Sequence, residues 1–179
     1  MNRLIVFILL FFFSVQIHAQ KYIGKKGKIS FFSKAPIEDI SAVNNNVSAV
    51  YDSNTGEIIF QLKITDFIFP KKLMQEHFNE NYLESDVYPN SVFQGKVVNL
   101  AENIKKIYDT RVEGNLTIHG VTNQISVIGE LIKKEDVVDI SANLMIRLED
   151  YNIEIPSIMM YKIAEEIAIK INITLKEIK

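Results

Sequence analysis

The chain has 179 residues, a net charge of −2 at pH 7, and neither cysteine nor tryptophan. A mildly acidic chain without a basic block argues against nucleic-acid binding. The lack of cysteine excludes disulfides, thiolate metal ligands, a cysteine nucleophile and lipid attachment through cysteine. The length suits a single domain with a core of its own.

The first 19 residues have the pattern of a secretory signal peptide. Arg3 gives a positive start, residues 4–15 are almost continuously apolar, and Ala19 is a small residue before Gln20. The apolar run is about a dozen residues, whereas a membrane-spanning helix needs about 20. We therefore expect a signal peptide over 1–19, a mature domain over 20–179, and a soluble periplasmic or secreted protein. An uncleaved N-terminal anchor is the alternative.

Alternation of apolar and polar residues dominates the rest of the chain. It is strict in residues 138–148 and 167–176, where every second side chain is apolar. Weaker alternation covers residues 28–33, 57–64, 111–118 and 121–131, and residues 47–51 and 91–98 are further candidates. Turn residues separate these runs at hairpin spacing, as at 52–56, 119–120 and 133–136. This pattern predicts an all-β protein of about eight to ten antiparallel strands, either a barrel or a sandwich.

One segment has helical periodicity. Residues 71–83 place Met74, Phe78 and Tyr82 four apart, beside Leu73, after a proline suited to a helix start. We predict an amphipathic helix of about three turns between strands. For residues 35–46 we predict a short helix or an irregular loop, because a proline and a run of asparagines argue against a long helix or strand.

Candidate catalytic groups are few. The mature chain has two histidines, His77 and His119, and no zinc-binding, phosphate-binding or nucleophile-elbow motif. We expect His77 to cover a barrel end and His119 to form hydrogen bonds within a tight turn. We predict no catalytic residue, no metal and no cofactor. An enzyme using these histidines or Glu76 and Asp86 is an alternative.

Two motifs resemble a known family. Residues 114–122, GNLTIHGVT, resemble the Leu-Thr-x-His-Gly-Val-Thr signature of the YceI-like family. Residues 81–89, NYLESDVYP, followed by Ser91 and Phe93, resemble its segment that leads through Tyr-Pro into a strand. The resemblance implies an extended eight-stranded antiparallel β-barrel, lipocalin-like, with one helix between strands. It also implies a periplasmic location and a long apolar tunnel for a polyisoprenoid or similar amphiphile.

The inward-facing stripes and the helix give the expected ligand-binding residues: Phe31, Phe60, Leu62, Met74, Phe78, Tyr82, Phe93, Leu116, Ile140, Ala142, Leu144 and Ile146. The hydroxyl of Tyr82 is a candidate contact to a polar head group. The expected partner is an isoprenoid or other lipid, without nucleic acid or metal, and a homodimer is an allowed assembly. The alternatives are a filled barrel with a structural or stress-related interaction role and a lipocalin-fold enzyme. An outer-membrane barrel is disfavoured, because the chain has no tryptophan for aromatic girdles.

Overall fold

Eight strands run through the part of the chain that the computed structural model describes, which is residues 20–34, 39–98, 107–155 and 163–178. They are β1 (Lys21–Ser33), β2 (Ile40–Asp52), β3 (Glu57–Lys63), β4 (Asn90–Val97), β5 (Ile107–Ile118), β6 (Val121–Lys134), β7 (Val137–Arg147) and β8 (Glu166–Glu177). A helix, α1 (Lys72–His77), lies between β3 and β4. The predicted signal peptide, residues 1–19, lies outside the described residues.

Each strand pairs antiparallel with the next, and β1 also pairs with β8, so the sheet closes into a barrel. On the closing pair, Ile29 lies opposite Ile171 and Phe31 lies opposite Ile169. Closure leaves no free sheet edge, and it decides between the two architectures that alternation allowed in favour of the barrel.

The two strictly alternating runs pair with each other, and their faces are as predicted. Leu144 lies opposite Ile169 on β8, and both line the interior, as does Ile171. The neighbouring Asn143 and Lys170 are exposed to solvent. A slip of one residue would invert this arrangement, so the apolar stripes fix the register.

The expectation of a helix or loop over residues 35–46 was wrong for its described part, since β2 begins at Ile40; residues 35–38 lie outside the described residues. The strand tolerates the asparagine run because the Asn44 side chain forms hydrogen bonds with backbone groups. Its buried amide donates to the carbonyl oxygen of Lys63 at 2.9 Å and accepts from the backbone N–H of Asn46 at 2.8 Å. A register shift in the β1–β2 pairing occurs beside it.

The predicted three-turn helix is shorter than expected. Regular α-helix ends at His77, and a wider turn follows in which the N–H of Leu83 donates to the carbonyl of Phe78, five residues earlier, at 2.9 Å. The widened turn brings Leu83 into the core, where it is buried. Leu73, expected beside the apolar stripe, is instead 63% exposed.

The two ends of the barrel are built differently. At one end, called the closed end here, Tyr22, Tyr51, Val138 and Leu175 fill the interior and are fully or almost fully buried. The two tyrosine rings lie 6.2 Å apart between centroids. At the other end, the segment of residues 64–89, called the lid, lies between β3 and β4. The interior between the closed end and the lid is where a ligand site can form.

Candidate ligand-binding tunnel

A cavity of about 300 Å³ occupies the barrel interior. That size lies at the lower end of the range for small-molecule sites, and its walls are almost entirely apolar side chains. Every residue expected from the sequence to bind a ligand lines it, from Phe31 on β1 to Ile146 on β7 and the lid residues Met74, Phe78 and Tyr82. The barrel is therefore hollow along its apolar stripes.

Four phenylalanine rings pack together where the lid meets the barrel. The ring of Phe31 stacks on Phe78 with centroids 5.6 Å apart, and it contacts Phe67 and Phe69 at 5.5 and 5.6 Å. Phe69 and Phe78 lie 4.9 Å apart. These rings support one another and form the tunnel wall on the side of the lid.

Phe67 and Phe69 line the cavity but were not among the predicted site residues. In the structure Ile68 between them is 63% exposed, so these three residues face alternately inward and outward, as in a strand. The backbone of Ile68 indeed exchanges two hydrogen bonds with Val43 at the start of β2, at 3.1 and 2.9 Å. The sequence did not reveal this bridge, because Phe67, Ile68 and Phe69 are all apolar and so short a segment cannot be distinguished from a loop by its periodicity.

His119 fastens the lid to the β5–β6 hairpin. His119 and Gly120 form the two-residue turn with positive φ angles of 50° and 73°, and a Cβ on Gly120 would lie 2.5 Å from the ring of Tyr88. The Nε2 of His119 lies 2.7 Å from a carboxylate oxygen of Glu84, and its ring contacts Tyr88 edge-on at 4.7 Å.

The expected structural contact of His119 to a backbone group is present, but it is not within its own turn. The Nδ1 lies 3.2 Å from the carbonyl oxygen of Tyr151, 32 residues along the chain. Sequence reasoning missed this partner because Tyr151 belongs to a short helical turn after β7 that only the closed barrel brings near the hairpin.

Two serine hydroxyls along the cavity have hydrogen-bond partners within the protein. The hydroxyl of Ser33 accepts from the N–H of Ala164 at 3.0 Å, and that of Ser91 donates to the carbonyl of Thr117 at 2.9 Å. A tyrosine hydroxyl is neutral at physiological pH, and burial raises the pKa of Tyr82 further. Among the described residues, no lysine or arginine lines the cavity. The tunnel is thus suited to an uncharged, largely apolar molecule.

The family model for the YceI-like domain matches residues 18–175. The chain belongs to the YceI-like family. Its match covers all eight strands except the last residues of β8 and includes both motifs that carried the resemblance.

Solved structures of the family share the barrel. A polyisoprenoid binding domain from Saccharophagus degradans superposes with a TM-score of 0.74 at 13% identity, over 89% of this chain and 99% of that one. BcnA from Burkholderia cenocepacia gives a TM-score of 0.70 at 18% identity, over 83% and 96%. The YCEI protein of Campylobacter jejuni gives 0.62 at 20% identity, over 80% and 87%. These identities establish the common fold alone. No curated protein sequence matches the chain significantly.

Other kinds of site are not evident in the described residues. Across residues 20–34, 39–98, 107–155 and 163–178, no three histidine, aspartate or glutamate side chains are grouped to hold a metal ion. In the same ranges no helix has both the length and the apolar character needed to cross a bilayer. His77 lines the cavity, and its Nδ1 accepts from the Asn81 amide at 2.9 Å.

Proposed function

We propose that this member of the YceI-like family binds one long apolar lipid inside its barrel. The observation that carries the proposal is the hollow interior, about 300 Å³ in volume and lined by apolar residues from most of the strands and from the lid. A barrel evolved only for stability fills its interior with side chains. An unfilled apolar cavity costs stability, which a bound lipid would restore.

The affinity can arise from apolar burial alone. Each CH₂ group transferred from water contributes about 0.8 kcal/mol, so roughly ten of them supply about 8 kcal/mol before the costs of association. Without a charged contact, discrimination rests on the length and shape of the tunnel. The proposed ligand is an isoprenoid quinone or related polyprenyl lipid, a choice supported by the family relative described as a polyisoprenoid binding domain.

Native mass spectrometry of the purified protein before and after organic extraction tests this function. We expect a lipid adduct that extraction removes, an extract containing a long-chain isoprenoid, and uptake of added polyprenyl lipid by the stripped protein. The same spectra report whether the protein is a monomer or a homodimer. Clean extracts from several preparations, together with no uptake, would instead favour a barrel with a structural or interaction role.

We also propose that the protein is exported and released as a soluble domain beginning at Gln20. The support is the charged start, apolar run and small residue of the first 19 positions. N-terminal sequencing of protein recovered from the cell envelope should give Gln20 as the first residue. Recovery of intact Met1 from a membrane pellet would contradict export with cleavage.

A further inference from the structure

Thr110 is a buried polar residue on the tunnel wall that the lipid-binding role leaves unexplained. It lies on β5, lines the cavity, and is only 4% exposed. Its Oγ1 atom is buried and has no hydrogen-bond partner among the residues that the structure describes. A buried hydroxyl without a partner is unfavourable, so such groups in folded proteins call for an explanation.

Thr110 lies at the deep end of the tunnel. Its register partner is Gly129 on β6, and two residues beyond Gly129 is Leu131, which packs into the cluster at the closed end. Ile118, at the other end of β5, packs in the cluster beside the lid. The strand from Ile118 to Thr110 spans about 26 Å at about 3.3 Å per residue. A group that reaches Thr110 has therefore passed through most of the barrel.

The wall beside Thr110 is built from small residues. Gly129 is paired with Thr110 on one side and with Ala142 on the other. A Cβ on Gly129 would lie 2.6 Å from the carbonyl oxygen of Ser141, so the backbone there admits no side chain without shifting. The unpartnered hydroxyl thus adjoins a stretch of wall where side chains take up little space.

The surroundings favour an uncharged group. No lysine or arginine from the described residues lines the cavity, and an ionised group buried without a counter-charge is strongly unfavourable. A threonine hydroxyl both donates and accepts, so it can bind a hydroxyl, a carbonyl or an amide. Rotation about χ1 between staggered positions exchanges the methyl group and the hydroxyl, so the hydroxyl has a staggered position from which it can meet a ligand in the cavity.

We propose that the lipid enters with its polar end first and that the Thr110 hydroxyl hydrogen-bonds a neutral oxygen or amide at the floor of the tunnel. This inference rests on the proposed lipid-binding function and narrows the ligand class to long-chain lipids with a small uncharged terminus. The apolar tail then extends toward the lid. Phosphorylated and carboxylated lipids bind less tightly because their charge has no partner at the floor.

The opposite orientation would place the polar end at the lid, near the hydroxyl of Tyr82. Tyr82 is half-buried, whereas Thr110 is almost fully buried, so of these two residues Thr110 is the one that is shielded from water. A ligand group therefore relieves a larger cost at Thr110 than at Tyr82. Removing each hydroxyl in turn distinguishes the two orientations.

The experiment uses the full mature protein, stripped of lipid, and measures displacement of a bound apolar dye by hexadecanol, hexadecane and hexadecyl phosphate. Thr110→Val, which keeps the shape, should weaken hexadecanol binding about tenfold, or 1.4 kcal/mol, and leave hexadecane binding unchanged. Thr110→Ser should retain hexadecanol binding. Tyr82→Phe should leave both affinities near the wild-type values. Hexadecyl phosphate should bind wild type more weakly than hexadecanol.

The remaining outcomes overturn the inference. If Thr110→Val weakened the binding of hexadecanol and of hexadecane equally, Thr110 would be a packing residue. If it changed neither affinity, Thr110 would have no role in binding. Selective loss of hexadecanol binding in Tyr82→Phe would establish the opposite orientation. Wild-type protein that binds neither hexadecanol nor hexadecane would overturn the proposed lipid-binding function together with this inference. A failure confined to the hydroxyl effect leaves lipid binding intact.

Discussion

Single residues at the two ends of the barrel hold different parts of the structure in place. His119 joins the lid to the β5–β6 hairpin through Glu84 and to the turn after β7 through the carbonyl of Tyr151. Tyr51 instead belongs to the closed end, where its ring is 2% exposed. Replacing either residue should therefore change stability more than ligand loading.

For His119→Gln we expect the free energy of unfolding to fall by about 1 to 2 kcal/mol, because two hydrogen bonds and a ring contact with Tyr88 are lost. The lipid bound per folded molecule should stay largely unchanged. Urea unfolding and quantitative lipid extraction measure the two quantities. His77→Gln, at an exposed position, is the control and should stay within about 0.5 kcal/mol of wild type. Wild-type stability in His119→Gln would refute the structural role.

Tyr51 should make the protein sensitive to alkali. Burial, followed by the nearby Tyr22 and Asp52, raises the pKa of Tyr51 to about 12, whereas an unfolded tyrosine titrates near 10. Between these values the folded state retains the proton and the unfolded state loses it. The stabilisation is therefore complete below about pH 10, and about 2 to 3 kcal/mol is lost as pH rises to about 12.

Urea unfolding at about pH 9 and about pH 11 tests this effect. Tyr51→Phe should show a smaller loss of stability between the two conditions than wild type, since it cannot ionise. Burial also raises the pKa of Tyr82 and of Tyr151, so part of the wild-type loss should persist in the variant. Identical pH dependence in the two proteins would rule out Tyr51 as a cause.

At the scale of elements, strands and lid contribute differently to the tunnel. Each strand supplies a row of inward-facing side chains, and the register of strand pairing fixes the position of each row along the barrel axis. The lid supplies the bulky rings of Phe67, Phe69 and Phe78 and is attached to the barrel at Val43 and His119. The strands thus determine the bore of the tunnel, and the lid determines how it is covered.

The strand faces lead to a matched pair of substitutions on β7. Leu144→Asp should lower the free energy of unfolding by about 3 kcal/mol, because a charge enters an apolar wall without a partner. Asn143→Asp places the same charge on the exposed face and should be nearly neutral. Thermal melting of the two variants measures the difference. Equal melting temperatures would contradict the assignment of faces.

At the scale of the whole molecule, the proposed lipid binding depends on the cavity. Filling it should abolish binding without unfolding the barrel. Ala142 suits this purpose because it lines the cavity beside Gly129, where the wall carries the least side-chain volume.

We expect Ala142→Phe to reduce the lipid recovered per mole of protein several-fold, since the ring occupies ligand volume. The melting temperature should change by only a few degrees if the ring enters open space rather than a packed region. Asn143→Phe adds the same ring on the outer face and should retain lipid. Mass spectrometry of organic extracts compares the variants. Undiminished lipid in folded Ala142→Phe protein would place the ligand elsewhere.

Alternation in the sequence was enough to predict most of the strands and the cavity-facing residues on them, although it missed the first half of β2 and the lid residues Phe67 and Phe69. Leu144 and Ile171 line the cavity as expected, because side-chain direction in a strand follows from its period of two and needs no distant partner. The hairpin turn at His119 and Gly120 could also be predicted from the sequence, since it depends only on neighbouring residues. The ligand role of these residues stays a prediction.

Only the tertiary structure decided the closure of the sheet, the unfilled interior and the partners that lie far apart in sequence. Pairing of β1 with β8 joins the first and last strands of the domain, which local periodicity cannot specify. Whether the interior is open depends on the summed volume of side chains from eight strands and the lid. The same long-range packing brings Tyr151 to His119, buries Asn44 within a strand, and places the unpartnered hydroxyl of Thr110 at the tunnel floor.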